Sequence, residues 1–206
     1  MFTFEKWKNT EDDLKSRLDP ERFMHTQGVM YTSSALAMAH GVSVERARIA
    51  GLLHDCAKYM RGQVIIDASR EAGVEVTEFD EKNPSILHAK LGAKYARTRY
   101  GVEDKEILSA IEFHTTGKPE MTKLEQIVYI ADFIEPNRDS ELSDNSDNYE
   151  EFDPSQIRKT AFTNLDECCY LIMHFMVSKL INSGKLMDKT TLLAYNYYKQ
   201  LHESAE

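Results

Sequence analysis

Seven histidines punctuate this chain, at 25, 40, 54, 88, 114, 174 and 202. One of them is followed at once by an aspartate, His54-Asp55, at the end of the apolar run Ala50-Gly51-Leu52-Leu53. An apolar run ending in imidazole and carboxylate buries two ionisable groups beside the core, which is costly unless they are paired or bind a metal. A divalent cation resolves that cost, because neutral imidazole and carboxylate are both good ligands for first-row metals. Lys58 lies four residues after His54 and so on the same helical face. A cation there repels a bare metal but suits a phosphate bound to one. His25 in Arg22-Phe-Met-His25, His88 in Ile86-Leu-His88-Ala, and His114 in Ile111-Glu-Phe-His114-Thr-Thr-Gly117 extend the set. Asp132 lies inside the apolar segment Ile127–Ile134, where an unpaired carboxylate is expensive. Taken singly, each has a plainer reading, since a helical histidine is usually a surface or hydrogen-bonded core residue and His-Asp is a frequent dipeptide.

Together the residues fall in the order H…HD…H…H…D, which resembles the HD-domain metallophosphohydrolase superfamily. Within it the chain is similar to the YqeK-type family, the symmetrical diadenosine-tetraphosphate hydrolases. The fragments that carry this likeness are Arg-Phe-Met-His25, Gly-Leu-Leu-His54-Asp55-Cys-Ala-Lys58, His88-Ala, His114-Thr-Thr-Gly117, Tyr-Ile-Ala-Asp132 and Ile134-Glu-Pro-Asn-Arg138. The resemblance implies two divalent metal ions, expected to be iron, although the ligand types suit Mn, Zn or Co equally. His25, His54, Asp55 and Asp132 would hold the first ion. His88 and His114 would complete the second, with Asp55 bridging. Asp55, His88 and His114 would then stand at the reacting phosphorus. Arg22, Lys58, Thr115 and Arg138, with His88 and His114, would meet the substrate.

The implied reaction cleaves the centre of the tetraphosphate bridge, giving two ADP by attack of a metal-activated water. No serine or cysteine nucleophile motif is recognisable. The implied partner is a small dinucleoside polyphosphate, with an ADP- or GDP-type product. Other HD phosphohydrolases, a nucleotidase or a phosphodiesterase, would share the ligands. A regulatory nucleotide-binding module would need a missing ligand, and all six are present. Plainer roles exist for the outer residues too. Arg138 could complement a helix C-terminus, Thr115 and Thr116 could merely end a helix, and Lys58 could pair at the surface. His40, His174 and His202 match no motif position and are expected to be structural or exposed.

Almost every element that must position these residues reads as helix, with apolar residues recurring at three and four. The expectation is an all-α fold, a single HD-type helical bundle of roughly eight or nine helices spanning 1–206. Asp19-Pro20 signals a start and Gly41 a stop for a helix to about His40. Ser43 caps a helix from Val44 to about Tyr59. Segments 4–18, 63–72, 83–100 and 103–114 add four more. Thr122 and Glu125 form a capping box for the helix that ends near Pro136. Helices over about 155–182 and 188–202 finish the chain, after a loop at 139–153.

Net charge is −9, which argues against a general nucleic-acid binder. Residues 139–153 contribute −7 of it, leaving −2 for the rest. That loop is expected to be a solvated surface segment, with a lid beside Arg138 as the alternative. A nearly neutral body can focus cationic groups on a small polyphosphate. The apolar stretch Tyr170–Val177 is far short of the roughly 20 residues of a membrane span, and the N-terminus shows no signal-peptide core. A cytoplasmic protein is expected. Cys56, Cys168 and Cys169 lack metal-site spacing and read as reduced thiols. Met173 and Met176 suit a core better than a homodimer face, and the sequence leaves the oligomeric state open.

Overall fold

The computed structural model describes residues 2–138 and 153–205. Its elements are α1 (Phe4–Arg17), α2 (Pro20–His40), α3 (Val44–Leu53), α4 (Gln63–Glu71), α5 (Glu78–Lys82), α6 (Leu87–Thr98), α7 (Lys105–Phe113), α8 (Lys123–Ile134), α9 (Pro154–Ala161), α10 (Leu165–Asn182) and α11 (Lys189–Glu203). Short 3-10 turns, Pro84–Ile86 and Pro136–Arg138, precede α6 and follow α8. The all-α expectation holds among the described residues. The described residues hold eleven helices rather than eight or nine. One extra is α5, set by a reciprocal cap in which the Thr77 hydroxyl receives the Asp80 amide and the Asp80 carboxylate receives the Thr77 amide. The other arises because the 155–182 segment is two helices, divided where the Asn164 side chain accepts the Glu167 amide and starts α10.

The local signals act as expected elsewhere. Asp19 accepts the Arg22 amide at 2.8 Å with Pro20 opening α2, and Gly41 closes that helix at φ +67°. The Thr122–Glu125 capping box starts α8. Its next ten positions, Leu124 to Ile134 apart from Asp132, are all buried, so α8 is the central rod. It packs against α2, α3, α7, α9 and α10. Helices α2 and α3 cross closely because Gly51 has no side chain; a Cβ there would lie 2.9 Å from the Met30 Cα.

Helix α3 ends at Leu53, not near Tyr59. The cause is local. The His54 Nδ1–H donates to the Gly51 carbonyl at 2.7 Å, taking the acceptor that a continuing helix would offer to the Asp55 amide. The chain then runs through tighter turns, with Cys56 N–H to Leu53 O at 3.1 Å and Lys58 N–H to Asp55 O at 2.9 Å. The helix expected over 83–100 likewise opens as a 3-10 turn and becomes α-helical only from Leu87. The 139–153 loop lies outside the described residues, except for Asp153, which caps α9. No helix among the described residues is long and apolar enough to cross a membrane.

Candidate metal centre and anion cleft

Each histidine of the motif enters from a different element. His25 comes from the second turn of α2, His54 from the turn ending α3, His88 from the start of α6 and His114 from the turn ending α7. Their Nδ1 atoms are all engaged. His54 donates to Gly51 O, His114 to Ile111 O at 2.7 Å, His88 to Ser85 O, and His25 to the Glu135 carboxylate at 2.9 Å. Those bonds fix one tautomer and turn each Nε2 lone pair toward the centre of the site, where it could ligate. The four Nε2 atoms converge in pairs. His25 and His54 stand 3.3 Å apart, and His88 and His114 stand 3.1 Å apart.

The Asp55 carboxylate lies between the pairs, 1 % exposed. Its Oδ2 is 3.5 Å from His54 Nε2 and 3.9 Å from His25 Nε2. Its Oδ1 is 3.1 Å from His88 Nε2 and 3.6 Å from His114 Nε2. Asp132 from α8 joins the first pair, 3.0 Å from His25 Nε2 and 3.7 Å from His54 Nε2. The ligand atoms of His25, His54 and Asp55, and those of Asp55, His88 and His114, each lie within 4.8 Å of one another.

The residues fit metal ions on two grounds. Lone pairs facing each other at about 3 Å repel unless a cation lies between them. Asp55 Oδ1 is buried with no hydrogen-bond partner, an orphaned acceptor of the kind proteins avoid.

The electrostatics agree. Burial holds His88 down at about 4 and lowers His54 too, so both are neutral and able to ligate at neutral pH. Burial resists ionisation of Asp55, but the surrounding imidazoles and the Lys58 ammonium keep its carboxyl well below the usual carboxylate range. Asp132 is similarly low, because the Arg138 guanidinium and His25 outweigh burial. His25 is raised, since its contacts with Asp132 and Glu135 together outweigh burial.

Cationic groups line the approach. Arg22 Nη1 donates to Asp55 Oδ2 at 3.1 Å, and Arg138 Nη2 donates to Asp132 Oδ1 at 3.1 Å. The Lys58 ammonium sits 3.0 Å from His88 Nε2, and the Thr115 hydroxyl is 3.2 Å from His114 Nε2 and 3.3 Å from His88 Nε2. All ten residues singled out in the sequence therefore share one site. Two cavities open from it and share Lys58, His88 and Arg138 as lining. One, about 810 Å³, also has Arg22, Arg61 and Lys82 in its wall. The other, about 500 Å³, is bounded by Thr115 and by apolar Tyr129, Phe133, Ile172 and Met176.

Met173 is core and Met176 faces that second cavity. The remaining histidines lie elsewhere: His40 bonds Ala161 O at 2.7 Å, His174 bonds the Tyr195 hydroxyl, and His202 bonds Glu167. Sequence reasoning gave no role to Glu135, although it lies in the Ile134–Arg138 fragment, and none to Arg61 or Lys82. Glu135 had a legible signal, a carboxylate directly after apolar Phe133-Ile134; the two cations had none beyond their charge.

Comparison with known proteins places this arrangement. A family model described as "HD domain" matches residues 22–137. The symmetrical bis(5'-nucleosyl)-tetraphosphatase of Bacillus subtilis is 33 % identical over 184 residues, 89 % of this chain and 92 % of that protein. The protein of the same name from Staphylococcus aureus is 31 % identical over 193 residues, 92 % of each chain. A crystal structure from Clostridium acetobutylicum superposes with a TM-score of 0.84 at 35 % identity, covering 94 % of this chain and 97 % of the other. It is described as a predicted HD superfamily hydrolase involved in NAD metabolism.

Proposed function

The chain belongs to the HD domain family, and on that premise we propose that it is a metal-dependent hydrolase cleaving diadenosine tetraphosphate symmetrically into two ADP. The observation that carries the reading is the Asp55 carboxylate, whose two oxygens each face a separate pair of imidazoles. His25, His54, Asp55 and Asp132 would hold one ion, and Asp55, His88 and His114 would hold the other. Such ions supply the Lewis acidity that activates a water for attack on phosphorus and offsets charge on the phosphoryl oxygens. Iron is the metal we propose for both positions, and elemental analysis of protein purified without added metal tests that identity.

The chain's own residues do the rest. Neutral His54 and His88 present lone pairs rather than protons, for the burial reason given above. Arg22, Lys58 and Arg138 meet the phosphate oxygens; each now leans on a site carboxylate or imidazole that an anionic substrate would share. The Thr115 hydroxyl, between His88 and His114, donates to an oxygen of the scissile phosphoryl group. The larger cavity, walled by Arg22, Arg61, Lys82 and Arg138, suits the extended polyphosphate. The motif helices and α9–α11 act as one domain in this scheme, since α10 supplies Ile172 and Met176 to the cleft wall. The relatives named for this reaction are similar over nearly their whole length, which supports the substrate assignment.

A product assay tests it. Diadenosine tetraphosphate should give ADP as the sole nucleotide product. AMP with ATP, or phosphate released from common mononucleotides in preference to this substrate, would overturn the reading.

A further inference from the structure

Glu135 follows the last residue of α8 and is fully buried, 0 % exposed. Its side chain holds no ligand Nε2, yet every hydrogen bond that side chain makes leads to the back of the site. Its Oε1 accepts the His25 Nδ1–H at 2.9 Å. Its Oε2 accepts the Asn137 backbone amide at 2.8 Å and the Asn137 side-chain amide at 2.9 Å. Its own carbonyl accepts the Arg138 amide at 3.1 Å. One residue thus grips the back of an imidazole on α2 and the 3-10 turn that carries Arg138.

Room for this carboxylate comes from an absent side chain. Gly28, one turn after His25 on α2, is the floor on which Glu135 rests. A Cβ built at Gly28 would lie 2.1 Å from Glu135 Oε2, 2.9 Å from its Cδ and 2.9 Å from Asn137 Nδ2. Helix φ values do not demand glycine there, and Gly28 is not among the residues of positive φ. Its cost in a helix interior, about 1 kcal/mol against alanine, has to be offset by something. The structure shows what: a charged side chain end, tied by three hydrogen bonds, occupies the space a methyl would need.

We propose that Glu135, seated on Gly28, is a positioning residue that sets the tautomer and aim of His25 and, through Asn137, the place of Arg138. The inference rests on the two-ion reading above and adds residues that it does not use. A carboxylate hydrogen-bonded to the far nitrogen of a ligating histidine fixes the ring and raises its basicity, and loss of such a partner typically costs roughly 10–100-fold in metal affinity.

Gly28→Ala separates this from a merely structural role, because on helix propensity alone the change stabilises α2. Cobalt(II) titration, followed by visible absorption and calorimetry, is run on wild type, Gly28→Ala and Glu135→Gln, each checked for folding by circular dichroism. Wild type should take up two ions. Gly28→Ala should stay folded and lose roughly 10–100-fold in affinity for one ion, leaving the other unchanged. Glu135→Gln keeps an acceptor for His25 but loses those for Asn137, and should weaken the same ion less than Gly28→Ala does. With diadenosine tetraphosphate, Gly28→Ala should also raise KM through Arg138. Two ions bound by Gly28→Ala with wild-type affinity overturn the inference and leave the two-ion reading standing. A wild type that binds no ion overturns both, and equal weakening at both ions reduces Glu135 to a packing group.

Discussion

The two oxygens of Asp55 look onto unequal halves of one site. On the Oδ2 side stand His25, His54, the second carboxylate of Asp132 and the guanidinium groups of Arg22 and Arg138. On the Oδ1 side stand His88, His114, the Lys58 ammonium and the Thr115 hydroxyl, with no further carboxylate among the described residues. A cation on the first side meets two anionic groups, whereas one on the second shares a single carboxylate. The backing differs as well. His25 rests against the Glu135 carboxylate, while His54, His88 and His114 rest against backbone carbonyls. On the two-ion proposal the contrast divides the work: the first half would retain its ion, and the second would leave coordination open for a substrate oxygen, as catalytic metal positions do.

Cutting the bridge erases the contrast and has the largest expected effect. Asp55→Ala should abolish metal content and hydrolysis together, measured by elemental analysis and ADP release; activity surviving without bound metal would end the two-ion scheme. His88→Ala touches only the weaker half. It should lower the metal content from two ions to one and remove turnover, and loss of both ions would show that the halves are not separable. Arg138→Ala tests the substrate side. Loss of a charged hydrogen-bond donor should reduce kcat/KM by roughly 10–100-fold, with metal content intact.

Acid should expose the same centre in metal-free protein. The imidazole of His88 sits at about 4 in the fold against 6.5 for an ordinary histidine, because burial disfavours its charged form. Between those values the unfolded chain binds the extra proton, so stability is full above the ordinary value and declines as pH falls toward 4. The loss is on the order of 3 kcal/mol for this group alone. Denaturant melts of metal-free protein across that window check it, and a flat profile would contradict the burial argument. The smallest effect belongs to the acidic segment. Deleting 141–150 should leave substrate affinity and rate unchanged, and a clear fall in either would make it part of the cleft.

The candidate ligands were legible because they are ionisable groups set in apolar sequence: His54-Asp55 after Leu52-Leu53, and Asp132 within Ile127–Ile134. Burial without a partner in sequence is itself a signal, and the helix caps at Asp19, Ser43 and Thr122 told where the carrying helices begin. What stayed hidden was decided by side chains acting on backbone at a distance. The end of α3 at Leu53 depends on an imidazole claiming the Gly51 carbonyl. The role of Glu135 depends on α2 and α8 lying side by side. The break at Asn164 is different, since an Asn three residues before Glu167 is a start signal that the long apolar pattern obscured.

The three cysteines carry a practical consequence. All are buried and unpaired. Cys56 donates to Gly92 O and Cys168 to Ile157 O. Burial pushes the Cys168 thiol up to about 12 and raises Cys56 and Cys169 strongly too. A thiol that neither ionises nor reaches solvent is inert to alkylating reagents. The native protein is therefore already a silent background for site-directed labelling, without removal of any cysteine. A single Ser146→Cys would carry a fluorophore or spin label into the acidic segment and report on it during turnover.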